Sequence, residues 1–329
     1  MTMRAILCDA FGPVDALRVG EAPVPAVGPG EVRLRMRAAA ANFADTVMIG
    51  GTYQEKPVLP FVPGLEGAGE IVEIGTGVTG LAIGDRVMAT LPHGAFAEQA
   101  VTEAAQAYRI PDGLDFAEAA AVPVAYGTSH IALTRRGNLQ PGETLLVLGA
   151  AGGVGLTAVE IGKALGATVI AAASGPEKLA LAQAYGADHA VDYTKDDLRD
   201  AVRDITGGKG ADVIYDPVGG EAFKSALRCI AWEGRLLVIG FASGEVPQAA
   251  ANYLLVKNAS VVGVYWGAYR KNNPALIRDS FATLAGWFAD STLKKPHISH
   301  RLPLDRAVEA LTLLTSRRST GKVVLTIDG

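Results

Sequence analysis

Residues 142–166, GETLLVLGAAGGVGLTAVEIGKALG, constrain the fold more than any other part of the chain. Pro141 and Gly142 mark a turn, and 145–148 is an apolar run of buried-strand length. Gly149, Gly152, Gly153 and Gly155 follow, with Ala151 among them. Val154, Ala158, Ile161 and Leu165 then recur at helical spacing, with Glu160 and Lys163 on the polar side. Strand, glycine turn and helix in this order make a dinucleotide site. Glycine lets the backbone turn tightly and approach a pyrophosphate, whose charge suits the unpaired N–H groups of a helix N-terminus. The spacing G-x-x-G-x-x-G is not the commoner G-x-G-x-x-G, so the flanking strand and helix carry the reading.

From 145 onward, strand signals return at 168–173, 190–193, 213–215, 235–239 and 260–264, separated at first by helical stretches at 176–185 and 198–205. Six strands in this rhythm predict an α/β fold with a doubly wound Rossmann domain and a six-stranded parallel sheet. The first hundred or so residues differ. Val32, Leu34 and Met36 alternate with Arg33, Arg35 and Arg37, the pattern of a half-buried, antiparallel strand with a solvated basic face. Similar short strands at 69–74, 85–89 and 96–101 make this a β domain. After Gly267, an amphipathic helix at 274–290, a second at 304–315 and a strand at 322–326 have no sheet of their own, so they are expected to return to it. The expected boundaries are 1–121 with 268–329 for a discontinuous domain, and 122–267 for the dinucleotide domain.

With 329 residues, 49% of them apolar and 19% charged, the chain can bury two cores. A net charge of −4 with no basic block argues against nucleic acid as a partner. Two cysteines, Cys8 and Cys229, make neither a disulfide framework nor a zinc knuckle, and the five histidines show no ligand spacing. No apolar stretch has the length of a membrane span, and the opening MTMRAILCDAFG is too short in its apolar part for a signal peptide. The expectation is a cytoplasmic protein.

The chain resembles the zinc-independent quinone oxidoreductase (zeta-crystallin-like) group of the medium-chain dehydrogenase/reductase superfamily. The resemblance spans essentially the whole sequence. It is most specific in G-E-x-x-L-x-x-x-A-A-G-G-V-G at 142–155, and recurs in NFADT at 42–46, GTY at 51–53, PGLEGAG at 63–69, DPVGG at 216–220, Gly240-Phe241 and TGKV at 320–323. Glu160 stands where the group usually has Gln. The zinc-dependent branch has a Cys near position 42, a His where this chain has Leu65, and a four-Cys lobe, so no metal is expected. The resemblance implies a GroES-like β-rich catalytic domain beside the Rossmann domain.

Without a zinc ion to provide Lewis acidity, the acceptor should already be electrophilic: a quinone, an enone or an enoyl thioester. The protein then holds nicotinamide and acceptor at near-attack distance, with donors toward the developing oxyanion. By resemblance, Asn42, Asp45 and Tyr53 line the catalytic side, and Tyr53 matches a tyrosine proposed as proton donor in related enoyl reductases. Asn42 and Asp45 also suit the cap of a short helix, and Glu66 suits a loop-fixing role.

For the cofactor, the second strand ends in Ser174-Gly175-Pro176 with no carboxylate to bind a ribose 2′-hydroxyl, while Lys178 offers a positive partner. NADPH is therefore expected, and the resemblance places Ser174, Lys178 and Tyr193 around its 2′-phosphate. It also places Thr128 and 216–219 near the nicotinamide, closes Gly240, Phe241, Val264 and Trp266 over it, and lets Lys322 reach the ligand. Three functions stay open: an NADPH-dependent quinone reductase, an enone or enoyl-thioester reductase, and an NADPH-binding protein with little turnover. The group's habit of pairing its last cofactor-domain strand implies a homodimer through 260–264, since an apolar edge strand needs cover.

Overall fold

In the computed structural model, which describes residues 1–327, the chain opens with strands β1 (Thr2–Leu7) and β2 (Arg18–Pro23), paired antiparallel. A long strand, β3 (Glu31–Ala41), follows, then β4 (Glu66–Ile74), β5 (Arg86–Thr90), β6 (Gln99–Glu103) and β7 (Ala107–Arg109). Val32, Leu34 and Met36 are fully buried, each worth about 2 kcal/mol of apolar burial. The arginines between them meet acids across the sheet: Arg33 lies opposite Glu73 and Arg35 opposite Glu70, with ion-pair separations of 2.5 and 3.8 Å.

The next six strands are β8 (Thr144–Leu148), β9 (Thr168–Ala173), β10 (His189–Asp192), β11 (Ala211–Asp216), β12 (Ile230–Val238) and β13 (Ser260–Gly263). They form one parallel sheet in the order β10-β9-β8-β11-β12-β13. The order reverses direction at β8, the switch point that gives doubly wound sheets their ligand crevice beyond the strand C-termini. Two helices of this region, Gly220–Arg228 and Ala251–Lys257, lie outside the helical stretches expected from the sequence.

The last strands, β14 (Ile298–Pro303) and β15 (Lys322–Thr326), rejoin the first sheet: β15 pairs antiparallel with β3, and β14 pairs parallel with β15. The sheet order is β14-β15-β3-β4-β5-β7, with β6 also on β3. The chain thus divides into two compact units, 1–124 with 281–290 and 295 onward, and 125–280 with 291–294. The return begins at 281 rather than 268 because the helix Pro274–Ala289 is shared. Its Ser280 bonds His130 at 2.8 Å in the second unit, and Phe281 stacks on Tyr108 at 4.0 Å in the first. No helix among the described residues is long and apolar enough to cross a membrane.

Glu160, the departure from the usual Gln, lies on the helix Gly153–Ala164 and is buried. It accepts the Tyr126 hydroxyl at 3.0 Å and the Lys294 backbone N–H. Burial raises its carboxyl to about 7 against these hydrogen bonds. The folded chain therefore holds a proton that the unfolded chain releases from pH 4.5 upward, and stability falls as pH rises from there to about 7. Glu160→Gln should raise the melting temperature at pH 8, by an amount corresponding to about 3 kcal/mol at most, with the gap closing below pH 4.5. Thermal unfolding of both proteins across pH measures it, and the difference cancels the contribution of other titrating groups.

Candidate functional site

In the second unit, β8 runs into Gly149, whose φ of +58° begins the turn, and the helix Gly153–Ala164 starts after Gly152. A side chain at Gly155 would put its Cβ 2.2 Å from the Gly149 carbonyl oxygen, so helix and turn pack backbone to backbone. The Gly152 N-cap provides no side-chain hydrogen bond, and the first turn holds no acid. Its N–H groups are left for an anion, and Ala151, Gly152, Gly153 and Val154 surround them with little side-chain bulk. The donor set fits a dinucleotide pyrophosphate.

Beyond the end of β9, Lys178 on the helix Pro176–Ala184 brings its Nζ to 3.5 Å from Ser174 Oγ. A carboxylate does stand close by, supplied not by the second strand but by the third. Register pairs Asp192 with Ala173, one residue before Ser174. Its Oδ1 accepts from the Thr194 hydroxyl at 2.6 Å and the Thr194 N–H at 3.1 Å, and Lys195 lies 3.6 Å from Oδ2. The Thr194 hydroxyl above all, helped by the N–H groups of Thr194 and Gly175, holds this carboxyl below its usual range. Asp192 thus ties down the turn that carries Ser174, and its charge is met by its own donors. Sequence reading missed it, because only strand pairing brings residue 192 to residue 174. Tyr193, next along, is 38% exposed.

At the ends of β11 and β12, Asp216 Oδ1 accepts from Val218 N at 2.7 Å and Gly219 N at 2.9 Å, shaping the 216–219 turn, and the Gly240 N–H reaches the Asp216 carbonyl at 3.4 Å. The Phe241 ring closes on Gly219: a Cβ there would meet it at 3.2 Å. Val264 continues β13 and donates to the Val238 carbonyl at 3.0 Å. Trp266 is buried, its ring so close to Gly127 that a Cβ there would meet it at 2.8 Å. Thr128 is buried beside Ser129, whose hydroxyl joins those of Thr157 and Tyr215 at 2.8 Å each. Asp216, Gly240, Phe241 and Val264 sit on or just after the C-terminal ends of β11, β12 and β13, whereas Thr128 lies on the helix Pro123–Ile131.

The first unit gathers Asn42, Asp45, Glu66 and Lys322, all buried. Asn42 is the N-cap of the helix Phe43–Ile49, and its N–H donates to Asp45 Oδ2 at 2.7 Å, one arm of a capping box. Lys322 Nζ donates to Glu66 Oε1 at 2.7 Å and Asn42 Oδ1 at 2.6 Å. Glu66 also accepts Asn42 Nδ2 at 2.9 Å and the Val124 N–H at 2.7 Å. The second Asn42 amide hydrogen goes to the Ala40 carbonyl at 3.2 Å. Lys322 is thus turned inward to an ion pair, and Asn42 has both amide hydrogens engaged. Asp45 Oδ1 is buried with no hydrogen-bond partner, and burial raises its carboxyl to about 7 against the Asn42 N–H and Lys322, with Glu66 adding to the rise. Tyr53 is half-buried against the hydrophobic core. Among the described residues, no group of three or more His, Cys, Asp or Glu side chains could hold a metal ion.

Lys322→Met would strand the Glu66 carboxylate in the core and should cost about 3 kcal/mol. Adding Glu66→Gln should recover part of that loss, which a double-mutant cycle of unfolding measurements would read.

The "alcohol dehydrogenase GroES-like domain" family model matches 28–112, and the "zinc-binding dehydrogenase" model matches 153–282. The chain is 43% identical to the quinone oxidoreductase-like protein 2 homolog of Nematostella vectensis over 98% of this chain and 88% of that protein. The structure of Pseudomonas syringae quinone oxidoreductase superposes with a TM-score of 0.93 at 33% identity, covering 98% of this chain and 99% of that one. Escherichia coli quinone oxidoreductase complexed with NADPH superposes with a TM-score of 0.90 at 29% identity, over 99% and 100% of the two chains.

Proposed function

Because the chain belongs to the zinc-independent quinone oxidoreductase group of the medium-chain dehydrogenase/reductase superfamily, we propose that this oxidoreductase uses NADPH to reduce a conjugated carbonyl, a quinone before an enone, without a metal. The observation that carries the reading is the approach of Lys178 to Ser174, beside a carboxylate whose charge is already met. An NAD site would present a free acid to the ribose 2′-hydroxyl; this turn presents a cation and a hydroxyl, which suit a 2′-phosphate. The NADPH complex of the Escherichia coli relative supports the same choice.

Bound reduced nicotinamide supplies the hydride, and a conjugated acceptor needs no Lewis acid to receive it. The residues of this chain do the rest. The N–H groups after Gly152 hold the pyrophosphate, and Lys178, Ser174 and Tyr193 hold the 2′-phosphate. The 216–219 turn, Thr128, Gly240, Phe241, Val264 and Trp266 shape the nicotinamide end. In the first unit, Lys322 and Glu66 fix Asn42, which with Asp45 sets the helix Phe43–Ile49 from which the loop to Tyr53 departs. With the Asn42 amide hydrogens engaged, the Tyr53 hydroxyl is the group we assign to donate toward the acceptor oxygen.

The reading extends to a homodimer and to a cytoplasmic setting. The outer side of β13 has no strand partner among the described residues, and both cysteines are buried free thiols.

Oxidation of NADPH and NADH with 1,4-benzoquinone, an alkenal and crotonyl-CoA tests the function. NADPH turnover on the quinone is expected. Lys178→Ala should raise the KM for NADPH about tenfold with kcat little changed and the NADH reaction unaffected. Tyr53→Phe should slow the enone more than the quinone. Preference for the thioester would make the protein an enoyl reductase, and tight NADPH binding without turnover on any acceptor would make it a binding protein.

A further inference from the structure

The second unit has a second concave site, at the opposite edge of its sheet from the glycine turn. A cavity of about 470 Å³ opens where β11 and β12 begin, floored by Leu227, Cys229 and Ile230. Its volume lies within the range of small-molecule sites. Five cations line it and no acid does: Arg199, Arg203, Lys209, Arg228 and Lys257, with Tyr253 beside them. Lys209 is paired with Asp212 at 3.0 Å. Arg199, Arg203, Arg228 and Lys257 form no ion pair among the described residues.

Each cation invites a local explanation, and for three of them one exists. Arg203, Arg228 and Lys257 stand in the last turns of their helices, where the dipole favours positive charge. That argument fails for Arg199, which sits in the first turn of Leu198–Ile205, at the end of the helix that disfavours a cation. Arg199 and Arg203 are four residues apart and share one helix face. Asp200 and Asp204 are on the adjoining face and line a neighbouring cavity that meets this one at Arg203 and Gly208. The loop at 207–210 adds no backbone donors: its N–H groups bond Asp204, Arg203 and Thr206. Recognition here must come from side chains.

Tyr253, Val256 and Lys257 recur at helical spacing on Ala251–Lys257, so an aromatic ring and an apolar side chain stand beside a cation. Tyr253 is 38% and Val256 65% exposed. Four unpaired cations around one cavity repel each other until an anion of several charges neutralises them, and guanidinium groups match phosphate oxygens two at a time. We propose that this cavity is a binding site for an organic polyphosphate of the nucleoside di- or triphosphate class, its phosphates held by Arg199, Arg203, Arg228 and Lys257 and its base against Tyr253. The site is separate from the dinucleotide turn, because the two lie at opposite ends of the same parallel strands.

Calorimetric titration of the full chain, with one equivalent of NADPH to fill the dinucleotide site and no excess to compete at the cavity, tests the proposal with ADP, ATP and inorganic tripolyphosphate as probes. ADP or ATP should bind, more weakly as salt rises, and the double variant R199A/R203A should lose about tenfold or more in affinity. Tyr253→Ala should weaken the nucleotides and leave tripolyphosphate unchanged. K178A weakens NADPH at the dinucleotide turn but should leave ADP and ATP binding at this cavity unchanged, since Lys178 is at the other edge. No heat from any probe overturns the proposal, as does binding abolished by K178A but indifferent to R199A/R203A. Tripolyphosphate binding as tightly as ATP overturns the role of the base. Retention of a single-stranded RNA without binding of ADP or ATP overturns the small-molecule reading. The arginine variants alter exposed side chains, and unchanged circular dichroism and melting temperature certify their fold.

Discussion

A lysine ammonium and a glutamate carboxylate held almost wholly out of water, Lys322 and Glu66, are the constraint on which the first unit depends. Burying either charge alone would cost several kcal/mol. Each is tolerated because the other is within 2.7 Å and because Asn42 and the Val124 N–H complete the bonding. The pair joins the start of β15 to the start of β4, so the end of the chain is registered against its beginning by charge as well as by strand pairing. Asn42 is drawn in from the end of β3, and through its N–H the neighbouring helix is capped by Asp45. One buried ion pair thus orders the polar interior of the unit and leaves its members little freedom to act on a ligand directly.

The second unit is organised by backbone rather than by charge. Gly155 sits so close to Gly149 that no other residue fits, and this contact sets the helix N-terminus at the end of β8. The parallel order then brings the other strand ends alongside: Ala173 with Ser174, Asp192, Asp216, Val238 and Gly263. The same order brings the strand beginnings together at the opposite edge, where the cations of three helices and one loop converge. A parallel sheet therefore makes two polar edges from one topology, of opposite helix-dipole character. The edge facing helix N-termini suits anions through N–H groups, whereas the edge near helix C-termini must use side chains.

Two buried carboxylates show how context decides chemistry. Asp45 and Glu160 are both raised to about 7 by burial, yet Glu160 has a partner on each oxygen while Asp45 has one oxygen without any. Asp192, at the end of a strand, goes the other way because hydroxyl and N–H donors favour its charge. None of these differences follows from residue type alone: the donors to Asp192 are near in sequence, whereas the burial that raises Asp45 and Glu160 is set by the fold.

Local pattern was enough for much of the architecture. The apolar run before four glycines and the helical spacing after them specified strand, turn and helix, because a backbone that must approach another backbone can use only glycine there. Alternation in β3 specified which face is buried, since a strand has period two. The recurrence of strand signals specified the six-stranded parallel sheet, and the unpartnered C-terminal segments pointed back to the first domain. Strands β1 and β2 are only six residues long, Gly220–Arg228 begins at a glycine pair that reads as a turn, and Ala251–Lys257 buries no residue, so none of them was legible. What tertiary structure alone decided is which distant charges meet. Asp192 reaches Ser174 through strand register, Lys322 turns inward because Glu66 is there to receive it, and cations spread from residue 199 to residue 257 line one cavity. Sequence determines periodicity and backbone permission within a few turns of chain. Electrostatic partnership acts through space over a few ångströms, and the fold sets those distances.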